Sequence, residues 1–323
     1  MSSSNEHCYD AYAYFDITGY NKPINIGNWA KLRSFMEKDP AFNLLPVKSW
    51  FLSLSFKLAT PLICKDDEIF SIENEVLNKG QNKNNYNLFH KDKTMKVPFY
   101  PASSWKGRLR WVAYKKWLEN GKSPEDRFQL SLLFGEESGD EEGKRLSEYL
   151  DKNCGEQTKN YRDLVRSRFK YTNDTEKEEK EQSIPHHAGN LYFYPSYFDT
   201  LGESVINPHD REKKAGKYPI KIENVPKGTT GRFKVLFSPL YTGKGYSFED
   251  MNRGLKIIIE SVHDMFRVYG FGAKTSSGFG AVENINCGSV SFKFGENKLD
   301  NRQFSDLEEM KKLPEIINME LKQ

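Results

Sequence analysis

The sequence predicts an α+β protein, and three observations carry that reading. Segments with the period-two alternation of half-buried strands recur along the chain, two long stretches carry the apolar period of amphipathic helices, and Gly or Pro punctuates the boundaries. The first strand is expected in KSWFLSLSFKLATPLIC (48–64), where Leu52, Leu54, Phe56 and Leu58 alternate with Ser53, Ser55 and Lys57. GNLYFYPSYF, YPIKIENV, GRFKVLFSPL and AVENINCGSVSFKF supply further strand segments.

SSWKGRLRWVAYKKWLENG (103–121) places Trp105, Leu109, Val112, Ala113 and Trp117 at helical spacing, with an N-cap expected at Ser103 or Ser104 and a stop at Gly121. Gly107 inside this helix costs about 1 kcal/mol relative to Ala, which close approach of another backbone or a ligand would explain. The clearest helix is SFEDMNRGLKIIIESVHDMFRVYG (247–270). Ser247 and Asp250 open it in the manner of a capping box, and Met251, Leu255, Ile258, Ile259, Val262 and Phe266 form its stripe. A last short helix is expected from Ser305, with Glu308 three residues on. NKGQNKNNYNLFHKDKT (78–94) reads as a long mobile loop and NPHDREKKAGK (207–217) as a basic hairpin or loop. The expected organisation is an N-terminal extension (1–45), a main domain (46–296) interrupted by an acidic, helical or partly disordered insertion at 136–187, and a C-terminal helical tail (297–323).

With 323 residues the chain is long enough to bury a core, and with 29% charged residues and no apolar run near the ~20 of a membrane span it is expected to be cytoplasmic, without a membrane partner. Cys8, Cys64, Cys154 and Cys287 are far apart and lack metal-ligand spacing, so they read as reduced thiols. The net charge of +3 conceals segregation: residues 94–122 carry seven Lys/Arg against one Glu, residues 211–234 eight against two, and acid concentrates at 135–149 and 174–182. Either each run is a solvated face or the basic runs form a surface for a polyanion.

GFGAKTSSGFG (270–280) sets Gly270, Gly272, Gly278 and Gly280 around Lys274, Thr275, Ser276 and Ser277. Glycines permit positive φ and close approach, so backbone amides can converge into an anion nest to which the lysine and hydroxyls add charge and donors. The spacing excludes a P-loop, because Lys274 precedes the second glycine pair. It excludes a dinucleotide fingerprint, because the loop follows a helix instead of opening one. A tight structural turn and a phosphodiester clamp remain, and the tip residues favour the clamp.

VPFYPASSWKGRLR (97–110) resembles the PYIPGSSLKGvlR segment, and GFGAKTSSGFG the GiGaKTsxGyG loop, of the RAMP superfamily of CRISPR-associated proteins. Between them, LLFGEE and GNLYFYPSYFD resemble further family segments. VINPHDREKKAGKYPIKIENVPKGTTGRFKVLF is similar to a region of the sixth RAMP subunit of Cmr-type (type III-B) complexes. The likeness spans roughly residues 50–290, broken by the acidic insertion; Ala102 stands where the family has Gly, and Trp105 where it has Leu.

The resemblance implies a modified ferredoxin-like, RNA-recognition-type core with an antiparallel sheet, helices on one face and long insertions. It implies CRISPR guide RNA, complementary target RNA and other RAMP subunits as partners, no cofactor, and a position capping the filament at the guide 3′ end. Carried over, RNA contacts fall on Ser103, Ser104, Lys106, Arg108 and Arg110, on Gly270, Gly272, Lys274, Thr275, Ser276 and Ser277, and on His209, Arg211, Lys213 and Lys214 of an RNA-facing hairpin. Helix N-termini and glycine nests are anion sites on physical grounds as well.

Cleaving subunits of the superfamily use an acid in the loop after the first strand to hold Mg²⁺ or Mn²⁺. Glu73, in SIENEVLN, and Asp67 lie there, so a metal-dependent endoribonuclease is the alternative to a non-catalytic subunit. His209 beside Asp210 is a weaker candidate base. A guide-processing endoribonuclease also carries a glycine-rich loop but does not account for PASSWKGRLR, and a basic-faced interaction protein is the reading left if the resemblance misleads.

Overall fold

A computed structural model of the chain describes residues 37–66, 86–92, 97–118, 123–135, 141–155, 157–168, 187–207, 209–210, 215–216, 219–239 and 246–321. The alternating segment becomes strand β1 (Ser49–Leu58), and the family of long-range strands assembles around it. β4 (Leu191–Phe193), β10 (Thr230–Phe237), β11 (Val282–Phe294) and β12 (Asn297–Phe304) join β1 in an antiparallel sheet of spatial order β12-β11-β1-β10-β4. Helix α1 (Ala102–Leu118) lies in sequence between β1 and β4, and α5 (Phe248–Asp264) between β10 and β11. The path β1–α1–β4–β10–α5–β11, with β1 and β10 central, is the ferredoxin-like βαββαβ arrangement, extended at one edge by β12.

Alternation in β1 decides which face is covered. Trp50, Leu52, Leu54, Phe56 and Leu58 are buried in one core with Trp105, Leu109 and Val112 of α1 and Leu255, Ile258, Ile259 and Val262 of α5. Trp105 is fully buried and its ring lies 5.0 Å from Phe233, 4.6 Å from Tyr100 and 4.5 Å from Phe271. Its indole N–H donates to Ser196 Oγ at 2.9 Å, so the larger ring in place of the family's leucine finds a partner for its polar atom.

Several boundaries differ from expectation. Helix α1 starts at Ala102, with the Trp105 amide donating to the Pro101 carbonyl, so Ser103 and Ser104 lie within the first turn and do not cap it. The cause is the short strand β3 (Phe99–Tyr100), paired with β5 (Ser196–Tyr197), which leaves only Pro101 before the helix and sets its first turn early. Residues 297–304, expected in a helical tail, pair with β11 as β12. The final helix, α6 (Leu307–Leu321), is capped by Asp306, whose carboxylate accepts from the Glu309 amide at 2.7 Å, while the Glu309 carboxylate accepts from the Ser305 amide. Ser247 and Asp250 form the capping box expected for α5.

Within the insertion, residues 141–154 and 157–168 are helical. Helices α2 (Pro124–Phe134), α3 (Glu141–Cys154) and α4 (Gln157–Arg168) are held together by Arg127, fully buried, which meets Asp151 at 2.8 Å and lies 4.1 Å over the Tyr161 ring. Part of the expected 78–94 loop is ordered. β2 (Tyr86–Asn87) pairs with β9 (Ile220–Asn224), itself paired with β6 (Gly202–Ile206), and the Phe89 amide donates to the buried Glu223 carboxylate at 2.9 Å. β7 (His209–Asp210) and β8 (Ala215–Gly216) pair as a hairpin. Among the described residues no helix is long and apolar enough to cross a membrane, and Cys64, Cys154 and Cys287 are free thiols.

Candidate functional site

Helix α5 ends in a π-turn, Met265–Tyr269, closed by the Gly270 amide donating to the Met265 carbonyl at 2.8 Å. π-turns recur at functional sites, and here the turn delivers the chain into the glycine loop. Gly270, Gly272, Gly278 and Gly280 all have positive φ. A Cβ on Gly272 would stand 2.6 Å from the Ile63 carbonyl oxygen, and one on Gly280 would overlap the Phe271 carbonyl.

The loop's amides turn mainly inward. Phe271 donates to Gly280 (3.0 Å), Gly272 to the Tyr100 hydroxyl (3.2 Å), Ala273 to Ile63 (2.8 Å) and Gly280 to Pro61 (2.9 Å), while the Phe271 ring enters the core. The glycines therefore dock the loop against the sheet more than they build an outward nest. What faces outward is the tip: Lys274, Ser276 and Ser277 are exposed, and Thr275–Ser277 form one 3-10 turn whose opening amides have no acceptor within the turn. Lys274 holds φ 57°, a left-handed conformation costing a non-glycine residue about 1–2 kcal/mol.

Arg108 joins the loop to α1. Its Nε donates to the Gly270 carbonyl at 2.9 Å and its Nη2 to the Tyr269 carbonyl at 2.7 Å, with Thr275 Oγ1 at 3.4 Å. Burial pulls the guanidinium pKa down while Tyr100 and Tyr269 oppose that pull. The two segments singled out in the sequence, about 160 residues apart, are thus one surface. Arg108 serves it from within, as a brace.

The rest of that surface belongs to the exposed side of α1. Ser103, Gly107 and Trp111 are exposed at successive i,i+4 positions. Lys106 and Arg110 flank this line on one side, Arg108 and Lys115 on the other. Lys106 has its pKa lowered, first by burial and then by the neighbouring Arg110 cation. Among the described residues, nothing beyond its own helical turn lies within 4 Å of where a Gly107 Cβ would be, so no described neighbour accounts for the glycine.

The structure joins Arg108 to Gly270 and Thr275 directly; Ser103, Ser104, Lys106 and Arg110 share helix α1 with it, and Gly272, Lys274, Ser276 and Ser277 share the loop. His209 lies on β7 with its side chain outside the described residues, and Arg211, Lys213, Lys214, Asp67 and Glu73 are themselves outside them. Among the described residues no three His, Cys, Asp or Glu side chains gather as metal ligands. Sequence reasoning passed over Trp111, Lys115 and Tyr269. Trp111 carried a signal, an aromatic one residue off the buried stripe among cations; Tyr269 carried none until the π-turn brought its ring 5.1 Å from Trp111.

The family model of the RAMP superfamily matches residues 55–283. Comparison with curated protein sequences gives no match. Among solved structures the chain is similar to one in the cryo-EM structure of the type III-B Cmr-beta bound to cognate target RNA, at 15% identity and TM-score 0.40, covering 83% of this chain and 66% of that one. A chain in the crystal structure of the Csm3–Csm4 subcomplex of the type III-A CRISPR-Cas interference complex matches at 15% identity and TM-score 0.42, covering 84% and 98%. One in a type IV-B CRISPR complex matches at 13% and 0.39, covering 75% and 90%.

Proposed function

The chain belongs to the RAMP superfamily, and from that premise we propose that it is an RNA-binding subunit of a type III CRISPR RNA-guided effector in antiviral defence. The observation that supports the reading is the Arg108 brace, which ties the lysine-bearing loop to α1, the helix that carries the cations. Guide RNA backbone lies along it, with Lys106, Arg110 and Lys274 as phosphate partners and the opening amides of the 3-10 turn as donors. Such contacts read backbone and shape, and leave sequence to pairing between guide and target RNA. The resemblance of residues 205–237 to the sixth Cmr subunit supports a non-catalytic place at the guide 3′ end, beside other RAMP subunits.

The test is fluorescence anisotropy of the full-length chain with labelled single-stranded RNA over a salt series. Lys106→Ala and Lys274→Ala should each weaken binding and lower the slope of log K against log salt by about 1. Unchanged slopes in both variants would refute the phosphate assignment.

A further inference from the structure

Of the aromatic side chains described, Trp111 keeps 44% of its surface in solvent and Tyr149 52%; only Trp111 stands beside the cations of the candidate site. Its ring is also held. The Arg108 guanidinium lies 4.6 Å over it, Lys115 Nζ is 5.2 Å away, and Tyr269 meets it edge-on at 5.1 Å. Arg108 is itself fixed by the Gly270 and Tyr269 carbonyls, so the indole is oriented before any ligand arrives.

We propose that Trp111 is a stacking platform for an unpaired nucleobase of bound RNA, with Arg108, Lys115 and Tyr269 orienting the ring and Lys115 also facing the adjoining phosphate. This rests on the RNA-binding reading above. A nucleotide matches what the patch offers, because it presents a π-face and a negative charge one sugar apart, and base–aromatic stacking tolerates any sequence. An apolar protein surface covering the indole would instead have to bury Arg108 and Lys115 without counter-charges. The charge complementarity therefore favours RNA.

The experiment compares wild type, Trp111→Leu and Trp111→Phe as full-length chains. Each is titrated with a single-stranded RNA of about 12 nucleotides and with inorganic polyphosphate, over a salt series. Trp111→Leu should weaken RNA binding by about 5-fold to 100-fold, leave polyphosphate binding and the RNA salt slope unchanged, and be largely rescued in Trp111→Phe. Equal losses for RNA and polyphosphate, or a salt slope lower by about 1, would mean that the ring acts by placing Arg108, and would overturn the proposal. So would unchanged RNA affinity, including the case in which Trp111→Leu only impairs association with neighbouring subunits. Absence of RNA binding by the wild type would overturn both this proposal and the RNA-binding reading, whereas binding that survives Trp111→Leu overturns the stacking role alone.

Discussion

Gly278→Ala and Gly280→Ala make a matched pair that tests how the glycine loop is built. Both residues have positive φ, 85° and 70°, so alanine pays the left-handed penalty at each, about 1–2 kcal/mol. Loss of unfolded-chain freedom returns about 0.4–1 kcal/mol in both cases. At Gly278 the new methyl meets nothing within 4 Å, so the net cost should stay near 1 kcal/mol. At Gly280 the methyl overlaps the Phe271 carbonyl, which adds an overpacking term of about 1–3 kcal/mol. It also strains the Phe271–Gly280 and Gly280–Pro61 hydrogen bonds, each contributing about 1 kcal/mol. Gly280→Ala should therefore lose about 3–5 kcal/mol, some 2 kcal/mol or more beyond Gly278→Ala. Urea unfolding at neutral pH measures both, with an unchanged m-value certifying that only stability moved. Equal midpoints for the two variants would refute the argument that inward docking, and not backbone sign alone, demands glycine at 280.

Two further predictions concern ion pairs. Burial pushes the Asp264 carboxyl up, but hydrogen bonds from Lys116 (2.7 Å) and His263 (3.0 Å) outweigh it and hold the pKa below the ordinary 3.8. A depressed carboxylate contributes stability that is present above its unfolded value and lost as pH falls through its folded one. Lys116→Met should thus be less stable than wild type at pH 7, by about 1 kcal/mol after solvent screening, with the gap narrowing as pH falls below the ordinary carboxylate value of 3.8; a gap independent of pH would contradict the linkage. On the other sheet face, Lys234 is 2% exposed, its pKa lowered chiefly by burial, with Asp39 3.9 Å away as its counter-charge. Asp39 also meets Arg232 Nη2 at 2.5 Å, so Asp39→Asn should destabilise by about 1–2 kcal/mol and adding Lys234→Met should recover only the share that the buried lysine contributes, as thermal unfolding of the two variants would show. A double variant no more stable than Asp39→Asn would mean that Lys234 is not the source of the cost.

What was legible in the sequence followed from short-range physics. Helix α5 declared itself through a capping box and a one-sided stripe, and β1 through alternation, because caps and periodicity act within a few residues. The α1 segment and the glycine loop could be recognised separately, since their residue types are local necessities. Other boundaries were not: β12 falls in the expected helical tail and 86–92 in the expected loop, and they become strand or strand-like only because β11 and β9 offer edges to pair with. The cap of α6 fell one residue from its expected place because Ser305, Asp306 and Glu309 compete locally and geometry chooses among them.

By itself, the sequence determined the α+β class, the central strand, the main helices and the two segments that mark the family. Only the tertiary structure decided that Arg108 would brace the loop, that the glycines would face inward, that Gly107 would lie exposed, and that Trp111 would stand exposed beside Tyr269. Each of those facts is a distance between residues far apart in the chain. Such distances are set by how the sheet closes and the core packs, which no local pattern encodes.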